Sequence, residues 1–301
     1  MTVPGPSPDP LHALQARLPS PLQEVADERF ARRGVRLLLK RDDLIHPELP
    51  GNKWRKLAPN LRAAAGSGDR ALLTFGGAYS NHLRATAAAG RLLGLPTVGV
   101  VRGDELANRP LNPSLARCAA DGMRLHFVSR ADYRRRTDPE WVAGLRARFG
   151  GFHPIPEGGS NAAAVESCAG LGRELRGRTD VAAVACGTGG TLAGMAAGLA
   201  GTPAVGFAVL RGGFLGEEVA RLQHAAFGGR RGRWSVQDRF HWGGYARGGP
   251  ELEEFAADFA QRHGLPPLDR VYVAKLLHGL TTLAEEGAFP AGTRVTAVIT
   301  G

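Results

Sequence analysis

Lysine is scarce in this chain of 301 residues. Of the 38 basic residues, four are lysines (Lys40, Lys53, Lys56 and Lys275) and the other 34 are arginines. Arginine does not act as an amine nucleophile, whereas a desolvated lysine loses its proton and can form a Schiff base with a carbonyl compound. An arginine-rich composition explains the scarcity as well as a selective use of lysine does, so both interpretations stay open at this point.

The chain also lacks long apolar runs. None approaches the roughly 18 to 20 residues that a membrane-spanning helix needs. The first residues, MTVPGPSPDPLHAL, contain no basic region followed by an apolar core, so we expect no export signal and a cytoplasmic location. The content of 43% apolar and 22% charged residues is typical of a globular enzyme, with a length suited to one large domain or two lobes.

Cysteine is rare. The three cysteines, Cys118, Cys168 and Cys186, are odd in number and far apart. This excludes a disulfide framework and shows no paired spacing of metal ligands. We therefore predict small buried side chains and no metal site.

Acidic residues are outnumbered, which leaves a net charge of +10 and raises the question of nucleic-acid binding. The arginine clusters at 134–136 and 230–233 are short, and they lack the interleaved aromatic residues of a single-strand binding surface. A solvated, arginine-rich surface is the better interpretation. Its charge would attract anionic ligands by long-range steering.

Apolar runs and helical periodicities alternate along most of the chain. Residues 1–22 are rich in proline, and PSPLQEV at 19–25 is predicted to be a loop. The patterns predict strands at 35–40, 71–75, 97–101, 125–128, 181–185, 204–210 and in the terminal VTAVIT, and helices at 53–65, 80–93, 113–120 and 191–199. Such alternation is typical of parallel βαβ units and predicts the α/β class.

A glycine-rich turn joins a predicted strand to a predicted helix at Gly187, Thr188, Gly189, Gly190 and Thr191. Backbone N–H groups and the helix dipole converge on an anion at such a turn. The turn has no lysine, so it is no nucleotide-hydrolase loop, and the dinucleotide fingerprint fails because leucine occupies its third glycine position. Two interpretations of this turn remain: it binds the single phosphate of a cofactor, or it is purely structural.

Two further features accompany this turn. Ser80, Asn81 and His82 open a predicted helix after a glycine turn, where they could bind a carboxylate or only cap the helix. Lys53 lies at a chain turn that opens another helix. A lysine, a turn that can bind phosphate and a helix start that can bind a carboxylate together indicate pyridoxal phosphate chemistry on an amino acid.

Seven segments, in one order, carry a resemblance to a known family. They are KRDDL (40–44), GNKWRKL (51–57), GGAYSNHLRATAA (76–88), IPEGGSN (155–161), CGTGGTLAG (186–194), GGY (243–245) and LDRVYVAK (268–275). The chain resembles the group of 1-aminocyclopropane-1-carboxylate deaminase and D-cysteine desulfhydrase, within the tryptophan-synthase β-like fold of pyridoxal phosphate enzymes. The resemblance implies two lobes of open twisted sheets with flanking helices, a large domain (1–55 and 158–301), a small domain (56–157) and a homodimer.

The resemblance also implies roles for individual residues. Lys53 would form the Schiff base with pyridoxal phosphate, the 187–191 turn would bind its phosphate, and Asn81 would lie against the 3′-oxygen. Ser80, Asn81 and His82 would receive the carboxylate of a small amino acid. Tyr245 and Tyr272 match two active-site tyrosines, although the residues alone would equally suit packing roles. Ser80 and one tyrosine are candidates for proton movement.

Two positions depart from the cyclopropane deaminases. At the position of Val273, those enzymes resemble one another in having a glutamate that lies against the pyridine nitrogen. At the position of His82, they tend to have glutamine. Thr300 is then the remaining hydrogen-bonding candidate for that nitrogen. These departures favour elimination from D-cysteine to pyruvate, sulfide and ammonia over the first alternative, the cyclopropane deaminase. The basic surface and the missing acid at the pyridine nitrogen suggest the second alternative, a protein that binds pyridoxal phosphate or another anion without turnover.

Overall fold

A computed structural model describes residue 9 and residues 11–49 and 51–300 of the chain. These residues belong to two compact units. Unit 1 comprises Met1–Arg17 and Glu48–Gly159, and unit 2 comprises Leu18–Pro47 and Ser160–Gly301. The domain limits expected from the sequence, with residues 56–157 as the small domain, stay a prediction.

Residue 9 and residues 11–17 belong to unit 1, after which the chain passes to unit 2, returns to unit 1 and passes to unit 2 again. The first part of unit 2 contains β1 (Leu22–Val25), α1 (Glu28–Ala31) and β2 (Arg36–Arg41). Unit 1 then contains α2 (Lys53–Ser67), β3 (Leu72–Gly76), α3 (Asn81–Leu93), β4 (Thr97–Arg102), α4 (Pro113–Ala120), β5 (Met123–Val128), α5 (Arg130–Arg134), α6 (Pro139–Phe149) and β6 (His153–Ile155). The rest of unit 2 contains α7 (Ala162–Leu175), β7 (Val181–Cys186), α8 (Gly190–Gly198), β8 (Ala204–Ala208), α9 (Leu215–Phe227), β9 (Trp234–Gln237), α10 (Pro250–Arg262), α11 (Val273–Glu285) and β10 (Arg294–Ile299).

Each unit is built on its own sheet. Unit 2 has six strands in the order β1-β2-β10-β7-β8-β9, all parallel except the antiparallel pair of β1 and β2. Unit 1 has four parallel strands in the order β5-β4-β3-β6. The predicted α/β class with parallel sheets and flanking helices is confirmed.

Helices cover both faces of the unit 2 sheet. Ala183 and Ala185 of β7 belong to a core cluster that includes residues of α11, while Ala182 and Val184 belong to a second cluster that includes residues of α7, α8 and α9. Successive strand residues point to opposite faces, so this alternation requires an apolar layer on each side. The continuous apolar run of β7 follows from that burial.

One segment near the N-terminus differs from its prediction. Residues 22–25, expected within a loop, form β1 and pair with residues 37–40 of β2. The two nearby prolines favoured a loop, and a strand of four residues is too short for a clear alternation of apolar residues. Pairing with β2 is a tertiary contact, and the residues of β1 alone do not predict it. The predictions for residues 1–8 and 10 lie outside the described residues.

Asp27 anchors the start of α1 through a buried network. Its carboxylate accepts hydrogen bonds from the Arg29 backbone N–H (2.9 Å), from the Arg29 guanidinium (2.9 and 2.5 Å) and from Nε2 of His263 (2.9 Å). Burial alone would raise the pKa of Asp27, but the hydrogen bonds from Arg29 and His263 lower it to about 2. The ionised form is therefore the one that stabilises the fold.

Asp27→Asn is expected to lower the free energy of unfolding at pH 7 by on the order of 1 kcal/mol, because the amide keeps the helix cap but loses the charge. The pKa of this group is lower in the folded chain, so its contribution is complete above the usual value of 3.8 and disappears as the pH falls towards about 2. Urea unfolding of both proteins between pH 7 and pH 2.5 measures the difference. A gap that stayed constant over this range would contradict the assignment.

Candidate active site

Lys53 is the first residue of α2 in unit 1. Gly51 before it adopts a left-handed backbone (φ 56°), which turns the chain into the helix. The Lys53 ammonium is half-buried and donates a hydrogen bond to Oδ1 of the buried Asn52 at 2.8 Å. The predicted turn and helix start at this lysine are confirmed.

Ser80 is the N-cap of α3, also in unit 1. Its hydroxyl oxygen accepts a hydrogen bond from the Leu83 N–H at 3.2 Å. A Cβ placed on Gly76 would lie 2.7 Å from both Cβ and Oγ of Ser80, so only glycine permits this close turn after β3. The next two residues, Asn81 and His82, are buried in the first turn of the helix, where backbone N–H groups point out of the helix end.

The hydrogen bonds of His82 fix its tautomer. Its Nε2 lies 2.7 Å from Oγ1 of Thr74, and the Thr74 hydroxyl donates its one hydrogen to the Ile155 carbonyl at 2.9 Å. The Thr74 oxygen must therefore accept from Nε2–H, which leaves Nδ1 as a bare acceptor. Nδ1 is buried and has no hydrogen-bond partner among the described residues.

The surroundings of His82 keep its ring neutral. Burial lowers its pKa well below the usual 6.5, and the positive charges of Lys53 and Lys56 lower it further. The Lys56 ammonium donates to the Gly158 carbonyl at 3.1 Å. Gly159 packs against the imidazole, because a Cβ placed there would lie 3.0 Å from its Cε1. The ring thus presents an acceptor, while the backbone N–H groups of this turn are the donors.

Sequence reasoning did not identify Thr74 or the contact of Gly159 with His82. Thr74 is the one polar side chain in the apolar run ALLTF, and a buried hydroxyl requires a partner, so this signal was available. No comparable signal exists for Gly159. Its contact depends on β6 lying beside β3.

In unit 2, the turn after β7 leads into α8 as predicted. Gly189 is the N-cap of α8 and has a left-handed backbone (φ 75°). A Cβ placed on it would lie 2.8 Å from Cγ2 of Val219. Oγ of Ser160 and Oγ1 of Thr188 are 2.7 Å apart, so the segment before α7 meets this turn. Thr191 is buried in the first turn of α8.

Tyr272 and Tyr245 lie beside this turn. Tyr272 is the N-cap residue of α11, and its backbone N–H donates to Oδ1 of Asp269 at 2.6 Å. Its ring meets that of Tyr245 edge to face, with ring centres 6.3 Å apart. A Cβ placed on Gly187 would lie 3.3 Å from the Tyr272 hydroxyl. The fold thus brings Tyr272 into contact with the glycine turn and Tyr245 into contact with Tyr272.

Thr300 follows the carboxyl end of β10, the strand that pairs with β7 in parallel. Ligands of open parallel sheets bind at the carboxyl ends of such neighbouring strands. Thr300 is buried at this edge, and Val273, the first residue of α11, is also buried. Of the predicted site residues, Lys53, Ser80, Asn81 and His82 lie in unit 1 and the others lie in unit 2.

The residues of unit 2 fit a phosphate-bearing cofactor. Gly187 and Gly189 of the turn pack closely against neighbouring side chains, and α8 begins there with its N–H groups at the helix end. The nearby hydroxyls of Thr188, Thr191 and Ser160 are of the type that hydrogen-bonds phosphate oxygens. The fold and this turn are those of an α/β protein whose glycine turn is suited to the phosphate of a cofactor.

Comparison with known proteins specifies the class. The family model described as "Pyridoxal-phosphate dependent enzyme" matches residues 14–301, and the chain belongs to this family. The resemblance predicted from the spaced sequence segments is confirmed, and so is pyridoxal phosphate as the cofactor of this enzyme.

Three proteins similar to this chain have names that refer to 1-aminocyclopropane-1-carboxylate (ACC) deaminase. The chain is 31% identical to a "Putative 1-aminocyclopropane-1-carboxylate deaminase" of Thermotoga maritima, over 82% of this chain and 83% of that protein. It is 33% identical to a "Bifunctional D-cysteine desulfhydrase/1-aminocyclopropane-1-carboxylate deaminase, mitochondrial" of Arabidopsis thaliana, over 55% of this chain and 45% of that protein. A solved "ACC deaminase homologue" is similar with a TM-score of 0.81 and 26% identity, over 98% of this chain and 95% of that chain.

Across residue 9 and residues 11–49 and 51–300, no helix has the length and apolar composition that crossing a bilayer requires. The three cysteines are buried, as predicted.

Proposed function

We propose that this enzyme is a lyase that removes the β-substituent of a small amino acid, with D-cysteine as its substrate. D-cysteine and water would give pyruvate, sulfide and ammonia. The similarity to proteins named as D-cysteine desulfhydrase and cyclopropane deaminase supports the reaction type. The cytoplasmic location and the homodimer expected from the sequence stay predictions.

The observation that carries the choice of D-cysteine is the nature of Val273. Its side chain is buried (1% exposed) next to Tyr272. The cyclopropane deaminases resemble one another in having a glutamate at this position, and valine supplies neither charge nor hydrogen bond to a pyridine nitrogen. An uncharged neighbour suits the elimination of sulfide, whose thiolate is a far better leaving group than the ring carbon of the cyclopropane substrate.

Each residue has a defined task in this proposal. Pyridoxal phosphate, when bound, supplies an aldehyde for the amino group and an electron sink for the bonding pair of the α-carbon. Lys53 would hold the cofactor covalently and, once released by the substrate, would take the α-proton on its amine. Residues 187–191 would bind the phosphate, Asn81 the 3′-oxygen and Thr300 the pyridine nitrogen.

The substrate carboxylate would lie at the start of α3. There Ser80 can donate its hydroxyl hydrogen, and Asn81 can donate its amide N–H. His82 would contribute its backbone N–H, because the Thr74 contact leaves its ring with an acceptor nitrogen. Tyr245 and Tyr272 would move or orient a proton near the reacting atoms.

Incubation of the purified holoenzyme with D-cysteine, L-cysteine or 1-aminocyclopropane-1-carboxylate tests the proposal. We expect sulfide and pyruvate in equal amounts from D-cysteine. Release of 2-oxobutanoate from the cyclopropane substrate, with no sulfide from D-cysteine, would favour the second candidate, a cyclopropane deaminase, which the names of the relatives suggest. A coloured protein that is inert to all three would contradict both assignments.

A further inference from the structure

Lys275 is a buried lysine to which neither the resemblance nor the proposed function gives a task. Its side chain is fully enclosed (0% exposed) and belongs to α11, one helical turn after Tyr272. Its ammonium donates to two backbone carbonyls, those of His241 at 2.9 Å and Gly244 at 2.8 Å. Both carbonyls belong to the segment that carries Tyr245.

The segment 241–247 consists of two consecutive turns. The Gly244 N–H donates to the His241 carbonyl at 3.0 Å, and the Arg247 N–H donates to the Gly244 carbonyl at 3.2 Å. These two carbonyls are the ones that accept from Lys275. The Lys275 amine therefore donates a hydrogen bond to the carbonyl that closes each of the two turns.

The backbone of this segment is strained. Trp242, Gly243, Gly244 and Ala246 all have left-handed φ angles, of 54°, 84°, 128° and 53°. For residues other than glycine this conformation costs on the order of 1 kcal/mol or more each. Such a segment keeps its shape only where contacts with its surroundings determine it, and the two hydrogen bonds from Lys275 are contacts of this kind.

Tyr245 lies in the second of these turns. Its ring packs edge to face on Tyr272, whose hydroxyl borders Gly187 of the phosphate-binding turn. Tyr272 is the N-cap residue of α11, and Lys275 follows it three residues later in the first turn of the helix. The helix therefore carries one tyrosine directly and holds the other through Lys275.

Burial of the Lys275 amine has an electrostatic cost. Burial lowers its pKa to about 8, and the negative charge of Asp269 opposes this change. The ammonium form has three hydrogens and the neutral amine has two, so either form can donate to both carbonyls. The contact with the segment therefore persists when the amine loses its proton.

We propose that Lys275 is a positioning residue, which fixes Tyr245 against Tyr272 by binding the two turns of segment 241–247. The proposal rests on the proposed function in so far as Tyr245 serves that site. It assigns Lys275 no contact with the substrate.

Lys275→Met, which keeps the length of the side chain but has no donor, tests this in the holoenzyme. Hydrogen exchange of the amides in 241–247 is expected to become about tenfold faster, because the segment loses its two external hydrogen bonds. With D-cysteine, kcat is expected to fall by about 100-fold while KM changes little, since a displaced group near the reacting atoms costs about that much. The visible absorbance should remain. Lys275→Arg, which keeps donors, should restore part of the protection.

Lys40→Met is the matched control. Lys40 is equally enclosed, donates to the Ser20 carbonyl and pairs with Glu174 in the same unit, so its loss should lower stability without faster exchange in 241–247. The proposal would be overturned if the amides of 241–247 exchanged in Lys275→Met only as fast as in the wild type. A fall in kcat without faster exchange of these amides would also overturn it. If the Met variant does not fold, Lys275→Leu, which also has no donor, is measured against the same criteria. Exchange needs no substrate, so an inert wild-type enzyme would contradict the proposed function alone.

Discussion

Replacement of Lys53 by alanine is expected to abolish the visible absorbance of the purified holoenzyme and to lower D-cysteine turnover by at least about 1,000-fold. The substitution removes both the amine that would bind the cofactor covalently and the base that would take the α-proton. The absorbance of the protein after removal of unbound cofactor measures the first loss, and sulfide release measures the second.

Two other substitutions make this result specific. Lys53→Arg keeps the positive charge but has no nucleophilic amine, so it should be as colourless as the alanine variant. Lys56→Arg changes the neighbouring lysine, whose ammonium contacts the Gly158 carbonyl, and should keep the visible absorbance. A Lys53→Ala protein that stayed coloured, or a Lys56→Arg protein that lost its colour, would show that the assignment of the lysine is wrong.

Gly194→Ala is expected to destabilise unit 2 strongly, although it adds a single methyl group. The helices α7 and α8 touch backbone to backbone at small residues, and a Cβ on Gly194 would lie 2.1 Å from the Val165 carbonyl oxygen. Neither helix can relieve this contact by a side-chain rotation. We expect a loss of about 3 kcal/mol in the free energy of unfolding.

Gly216→Ala provides the control for Gly194→Ala. Gly216 lies in α9 of the same unit, and a Cβ placed there meets nothing within 4 Å. Alanine has the higher helix propensity, so this variant should be as stable as the wild type or slightly more stable. Urea denaturation followed by circular dichroism compares the three proteins. Equal midpoints for both variants would mean that the approach of α7 and α8 is looser than described.

The sequence predicted the regular part of the fold well where apolar runs were long or clearly periodic. Predicted strands at 35–40, 97–101 and 181–185 coincide with β2, β4 and β7 to within one residue at each end. Buried parallel strands are apolar on both faces, so they stand out as continuous runs. The edge strand β1 was missed because it is short and its pairing partner lies more than ten residues away.

The four lysines illustrate the limit of counting. Lys40 and Lys275 are fully enclosed, Lys56 is buried and Lys53 is half-buried. Arg41 and Arg55 are buried as well, so burial is not confined to the lysines among the basic residues. The count alone left chance and selective use equally open. Of the four lysines, only Lys53 has a proposed covalent task.

The sequence by itself determined the α/β class, the glycine turn before α8, the helix starts at Lys53 and Ser80 and, through spaced segments, membership of a pyridoxal phosphate family. These features depend on local patterns of apolar residues, glycines and caps, which are readable along the chain. Tertiary structure decided the neutral tautomer of His82, the contact of Tyr272 with the glycine turn and the hydrogen bonds of Lys275 to segment 241–247. Each of these depends on the meeting of residues that are distant in sequence, and a hydrogen bond between distant groups has no local pattern from which it could be predicted.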